Sequence, residues 1–251
     1  MKFIGLITVL ISGSLLIIAV SDFPNWGDPA SPASSYRVSN HYITESFAET
    51  SVPNLVTAVL ADYRGYDTLF ETVVIFAAGI AILAILGTRE KTETLFGEQD
   101  KLDVSGEDLI IDTTVRLIVP VIQLFGLYVI AHGHSSPGGG FQGGIIFGSS
   151  LILLSLARNL PYTLRRLSQS RAVLFATVGV LIYAGIGLLC LILGSNFLDY
   201  SILGKLLNIP SIQARSLSIF GVEVGVGFTV ATVMFVIFAN LSSRGRLQDG
   251  L

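Results

Sequence analysis

Residues 133–144 read GHSSPGGGFQGG, half of them glycine, and they lie between two runs too apolar to suit water. Gly138, Gly140 and Gly143 satisfy G-x-G-x-x-G, the pattern with which nucleotide-binding folds cradle a pyrophosphate. Context rules that reading out. The dinucleotide fingerprint follows a β-strand and is answered about 20 residues later by an acid. Here a long apolar run precedes it, and Tyr162, Thr163 and Leu164 stand near the acid's place.

The same glycines make sense as packing surface. Gly140, Gly144 and Gly148 recur every four residues, so on a helix they line one stripe without side chains, which another helix can approach closely. Pro137 suits a first helical turn and Ser135 or Ser136 a cap, which places a helix start near the proline. What remains, with Gly138 and Gly139 at its edge, is a tight turn whose backbone polar groups must be buried in protein or wetted. It is either a plain hairpin or a turn that also lines an ion or water path. His132 and His134 flank it, as interfacial hydrogen-bonding residues or as a proton relay. Two imidazoles without a third ligand do not make a metal site.

The apolar runs on either side set the class. Hydrophobic residues make up 51% of the 251, charged residues 13%, and mean hydropathy is +0.72, more than a water-facing surface tolerates. About 20 apolar residues cross a bilayer's hydrocarbon as a helix. Six windows come near that length: Phe3 to Val20, Thr68 to Leu86, Thr113 to Ala131, Gly140 to Ala157, Ala172 to Gly194 and Leu217 to Ala239. The expectation is an all-α integral membrane protein of about six transmembrane helices. The first window competes with a secretory signal peptide, since Lys2 gives a basic start and Ile18-Ala19-Val20 a small-residue end. Its apolar core is longer than a usual signal core, which favours a retained helix.

Basic residues orient the chain, because Lys and Arg stay on the cytoplasmic side. With both termini inside, only Arg37, Arg64, Lys205 and Arg215 of the 15 basic residues fall outside. Residues 21–67 then form an outer segment, opening on the turn-rich SDFPNWGDPASPASS and continuing with one or two short surface helices, for which Ser51 is a cap and Pro53 a first-turn residue. An acidic stretch over 91–110 reads as a solvated linker. It divides the chain into a two-helix part, 1–90, and a four-helix part, 111–251.

Two carboxylates fall at membrane depth, where an acid costs on the order of 2.5 to 3.5 kcal/mol by insertion scales. Glu71 lies one turn into the second window, with Asp67 four residues earlier and Arg64 three before that. It belongs either to a salt-bridged anchor or to a cation or proton site. Glu223, straddled by Gly221 and Gly225, is either protonated and hydrogen-bonded in a protein interior or paired with another subunit. Arg116 has Asp112 four residues before it and reads as an interfacial anchor. No helix carries a lysine or histidine at its middle, so the relay of a self-sufficient proton pump is missing. Catalytic constellations are missing too, and the single cysteine, Cys190, excludes an internal disulfide and reads as a small core residue.

The stretch from Asn54 to Leu83 resembles the end of the large A subunit of Mrp-type multisubunit sodium/proton antiporters, a piece that also exists as the small E subunit of archaeal membrane-bound hydrogenases. Asp62, Arg64, Asp67, Thr68 and Glu71 match the signature D-x-R-x-x-D-T-x-x-E, which departs at Phe70, where a glycine is usual. From about Ile111 to Phe238 the chain resembles the B subunit of the same antiporters, or the F subunit of the hydrogenases. DTTVRLIVPVIQLFGLYVIAHGH, the SPGGGFQGG turn and Glu223-Val224-Gly225-Val226-Gly227 carry that likeness.

The resemblance implies a non-catalytic membrane subunit of a multisubunit cation/proton antiporter or antiporter-containing respiratory complex, of hydrogenase or sulfur-reducing type, in a prokaryotic plasma membrane. It implies other antiporter-like subunits as partners, Na+ or H+ as the transported ion, no cofactor in this chain, and a redox arm only through other subunits. Ion-pathway candidates are Glu71, Asp67, Glu223, His132 and His134; Asp62 and Arg64 join Arg116 and Asp112 as anchors. The competing readings are a packing subunit without a transport role, and a stand-alone transporter, which the missing relay disfavours.

Overall fold

The computed structural model describes residues 2–28, 31, 38–93 and 109–245 of the chain. The structure divides into two compact units, Met1–Glu45 and Ser46–Leu251. The first contains α1 (Lys2–Ser21) and the beginning of α2 (Val38–Thr50). Side chains around α1, such as Phe3, Val9 and Ile17, are exposed.

In the second unit α3 (Leu55–Ala58) runs into a π-helical turn (Val59–Tyr63), followed by α4 (Gly65–Glu93), α5 (Leu109–Ala131), α6 (Gly140–Arg158), α7 (Leu160–Arg166) and α8 (Gln169–Ile192). A 3-10 turn (Tyr200–Ile202), α9 (Leu203–Leu207) and α10 (Ser211–Ser242) complete it. α10 is the hub: it packs along α6, α8 and α4, while α5 packs on α6. Within its most apolar window 67% of α10 is buried, against 17% for α4 and for α5. Tyr183, Cys190, Ile219, Val222, Val226 and Val230 form the centre of the core.

Among the described residues five helices are long and apolar enough to cross a membrane: Gly65–Leu86, Ile110–Ala131, Gly140–Arg158, Gln169–Ile192 and Ser211–Ser242. The first expected span is a shorter apolar helix, Gly5–Ser21. The windows run short by several residues at α10, because Ser211, Gln213, Arg215 and Ser216 extend the helix beyond its apolar part. α4 continues to Glu93 and α5 opens at Leu109, so most of the expected linker over 91–110 lies outside the described residues. Short surface helices occupy the segment 38–63, with one correction. Ser51 has a left-handed φ of 55° and ends α2; the cap of α3 is Asn54, whose Oδ1 accepts from the Val56 N–H at 3.1 Å.

Candidate functional site

The glycine turn is built by two devices. Ser135 and Ser136 turn back on the end of α5, both donating their N–H groups and hydroxyls to the His132 carbonyl at 2.9 to 3.3 Å. Gly138 and Gly139 then take φ of 156° and 139°, a region that side chains rarely allow. α6 consequently starts at Gly140, three residues later than Pro137 suggests. The serine hydroxyls are already committed to α5, and the two glycines have backbone angles no helix holds.

From Gly140 onward the stripe meets α10. A Cβ on Gly140 would overlap the Glu223 carbonyl; on Gly144 it would lie 3.0 Å from the Gly227 carbonyl; on Gly148, 2.8 Å from that of Ala231. Both helices therefore advance in steps of four, backbone against backbone. Gly143 faces the other way, where a Cβ would come 2.6 Å from the Gly126 carbonyl of α5. Gly139 belongs to the same close approach: a Cβ there would be 2.7 Å from Glu223 Oε2.

Glu223 is half-buried at this seam and accepts a hydrogen bond from the Gly140 N–H. The first N–H groups of a helix have no partner within it, and its N-terminus carries partial positive charge. A carboxylate arriving from α10 answers both. Of the two surroundings expected for Glu223, the structure thus supplies a partner inside this chain. Flanking it, Gly225 admits α8, with a Cβ 2.7 Å from the Gly179 carbonyl, and Thr229 donates to the Ala176 carbonyl at 3.0 Å.

A residue missed in the sequence holds the turn from outside. The Asn54 amide donates to the Gly133 and Ser136 carbonyls at 2.8 and 2.9 Å, its backbone N–H donates to His134 O at 3.1 Å, and Thr57 Oγ1 donates to Gly133 O at 2.8 Å. Asn54 is legible as a cap by residue type, but its tertiary bonds leave no local pattern.

The acidic signature is split rather than gathered. Asp62 pairs with Arg215 of α10, Oδ2 to Nε 2.7 Å; burial pushes its carboxyl above the usual range and the guanidinium opposes that shift. Arg64 pairs with Asp67 at 2.6 Å in an exposed position. Glu71 is exposed on α4 and has no hydrogen-bond or ion-pair partner among the described residues. Beside them the π-helical turn leaves carbonyls that the fold answers individually, Thr68 donating to Leu60 O at 2.8 Å and Tyr200 to Ala61 O at 3.0 Å, while Tyr183 donates to Gly65 O at the start of α4 at 2.8 Å. π turns of this kind recur at functional positions.

At the opposite ends of α5 and α6, Asp112 takes two hydrogen bonds from Arg158, the second at 2.7 Å, and Arg116 approaches the same carboxylate at 3.2 Å. The Tyr162 ring lies under the guanidiniums of both Arg158 and Arg166, 4.7 and 5.1 Å from its centre. The histidines are not brought together. His132 stacks on Tyr128 at 4.1 Å, whereas His134 lies edge-on to Phe220 at 6.3 Å, its Nδ1 buried without a partner among the described residues. Among those residues no cluster of His, Cys, Asp or Glu has the arrangement of a metal site.

The chain is similar to known proteins. A family described as "Domain related to MnhB subunit of Na+/H+ antiporter" matches residues 110–236, and the family MbhE, described as the E subunit of MBH, matches 30–98. The protein called "Putative antiporter subunit mnhB2" of Staphylococcus aureus strain Newman is 32% identical over 136 residues, 54% of this chain and 94% of the relative; that of strain COL is equally similar. Among solved structures, a chain of the membrane-bound sulfane sulfur reductase, an archaeal respiratory membrane complex, superposes with a TM-score of 0.63 at 27% identity, over 96% of this chain and 97% of that one. A chain of the Mrp complex from Dietzia sp. DQ12-45-1b shares the fold, with a TM-score of 0.57 at 22% identity over 93% of this chain and 26% of that one.

Proposed function

Because the chain belongs to the family of domains related to the MnhB subunit of Na+/H+ antiporters, we propose that it works as a non-catalytic membrane subunit of a cation/proton antiporter module, contributing to the ion pathway as well as to assembly. The observation that carries the pathway role is the seam at Gly140, where the half-buried Glu223 carboxylate faces the first N–H of α6 beside the glycine turn. An acid so placed can exchange a proton or counter a passing cation with little movement. Glu71 supports the same reading: an exposed acid in an apolar span belongs against a partner subunit or a wetted path.

In this reading Na+ or H+ is the ion, the chain holds no cofactor, and its partners are other antiporter-like subunits in a prokaryotic plasma membrane. Both termini and the Arg116, Arg158 and Arg166 cluster lie on the cytoplasmic side. Any redox arm is reached through those partners. Glu223→Gln and Glu71→Gln, introduced separately into the native assembly, are expected to leave it intact and to remove most sodium/proton exchange in inverted vesicles. Normal exchange by both variants would defeat the pathway role.

The second reading, a packing subunit only, draws on the matched steps of α6 and α10. There the Glu223 carboxylate is simply the acceptor that closes a helix end. Under it Glu223→Gln impairs assembly and exchange in equal proportion.

A further inference from the structure

A groove of about 920 Å³ runs between α5 on one side and α8 and α10 on the other, with α6 between them as its floor. It follows α5 from Val115 to Ala131. Sixteen steps of about 1.5 Å make that roughly 24 Å, most of the ~30 Å depth of a bilayer's hydrocarbon. The walls are apolar but for Gln123 and Thr232 until one end is reached, where Arg116, Tyr162 and Arg166 line the groove.

Charge among the described residues at that mouth is unbalanced. Arg158 takes both oxygens of Asp112, leaving Arg116, 66% exposed, as a second guanidinium on an occupied carboxylate. Arg166 is exposed and donates to the Tyr162 hydroxyl at 2.8 Å. Among the described residues at that end, one acid thus stands against three arginines. An anion with a long apolar tail complements both the mouth and the walls. A slender acyl chain suits a groove of this length and apolarity.

We infer that this groove binds an anionic phospholipid, its acyl chain along α5 past Gln123 and Leu127 and its phosphate between Arg116 and Arg166. Basic pockets between membrane helices recognise such headgroups. The inference needs only that the chain spans a membrane, so it stands or falls apart from the ion pathway.

The test is native mass spectrometry of the full chain released from mixed phosphatidylglycerol and phosphatidylcholine micelles with identical acyl chains. The wild type should retain one phosphatidylglycerol in preference. Removing both charges, Arg116→Gln with Arg166→Gln, should cut that preference about 30-fold, at about fivefold for each arginine. Leu127→Trp, at a position 51% exposed and therefore tolerant, should fill the groove and lower retention of both lipids alike. Equal retention of the two lipids by the wild type overturns the proposal, as does an unchanged preference in the double variant. Displacement of the lipid by millimolar inorganic phosphate would mean that the arginines read phosphate alone and also overturns it. So does a cysteine at Gln123 that cross-links to another subunit in the native assembly, since a partner helix would then occupy the groove.

Discussion

The side-chain amide of Asn54 donates to the Gly133 carbonyl at 2.8 Å across 79 residues of sequence, so the cap of α3 and the glycine turn share one residue. That amide also reaches Ser136 O and Thr57 Oγ1. Asn54→Asp keeps the capping oxygen but points a carboxylate at two carbonyls; Asn54→Ala loses cap and clamp together. Both should destabilise the protein, by about 1 to 3 kcal/mol for the unsatisfied groups left behind. Aspartate should be no better than alanine, which thermal unfolding in detergent would check. Full stability of the aspartate variant would mean that the cap alone matters.

Glycine substitutions should separate the seam from ordinary helix surface. Gly148→Ala forces a Cβ to within 2.8 Å of the Ala231 carbonyl, and Gly140→Ala drives one into Glu223. Each should cost about 1 to 3 kcal/mol, because backbone cannot yield as a side chain does. Nothing lies within 4 Å of a Cβ on Gly185 of α8, so Gly185→Ala should be neutral or slightly stabilising, by up to about 1 kcal/mol. Chemical denaturation of the three variants in one detergent would compare them.

The tyrosines beside the π-helical turn should act as a pair. Tyr183→Phe and Tyr200→Phe each remove one buried hydroxyl from a carbonyl, Gly65 O at the start of α4 and Ala61 O in the turn, at about 1 kcal/mol apiece. Once one is gone the turn can relax, so the double variant should lose less than the sum, by about 0.5 kcal/mol or more. Strict additivity in a double-mutant cycle would show the two to be independent.

Much of this fold is readable because helices write their periods into the chain. The membrane runs show as length and apolarity, and the Gly140, Gly144, Gly148 stripe shows as a step of four. Arg64 with Asp67 and Asp112 with Arg116 stand three and four residues apart, where one helix face brings them together. What spacing cannot show is a partner from elsewhere. Arg215 meets Asp62 across 153 residues, Arg158 meets Asp112 across 46, and Glu223 binds a backbone N–H that has no letter of its own. The start of α6 departs from its local signals for a related reason. Pro137 and two serines make a good local opening, but the serines bond backward to His132 and the glycines must bend the chain toward Glu223.

The two arginines on Asp112 should differ sharply although both touch the same carboxylate. Arg158 is 14% exposed and holds both oxygens, so Asp112→Asn leaves a guanidinium that little solvent reaches without its charge partner, a larger loss than removing Arg116 should cause. Arg116 is 66% exposed and lies 3.2 Å away, a surface pair within about 1 kcal/mol of neutral. Arg116→Gln should therefore leave stability nearly unchanged, and any small loss should vanish in high salt, where exposed charges are screened. The Asp112→Asn deficit should persist in the same salt, because the Arg158 contact is shielded from solvent. Unfolding of both variants at low and high ionic strength decides the matter; equal deficits would show that the Arg158 contact adds nothing beyond that of Arg116.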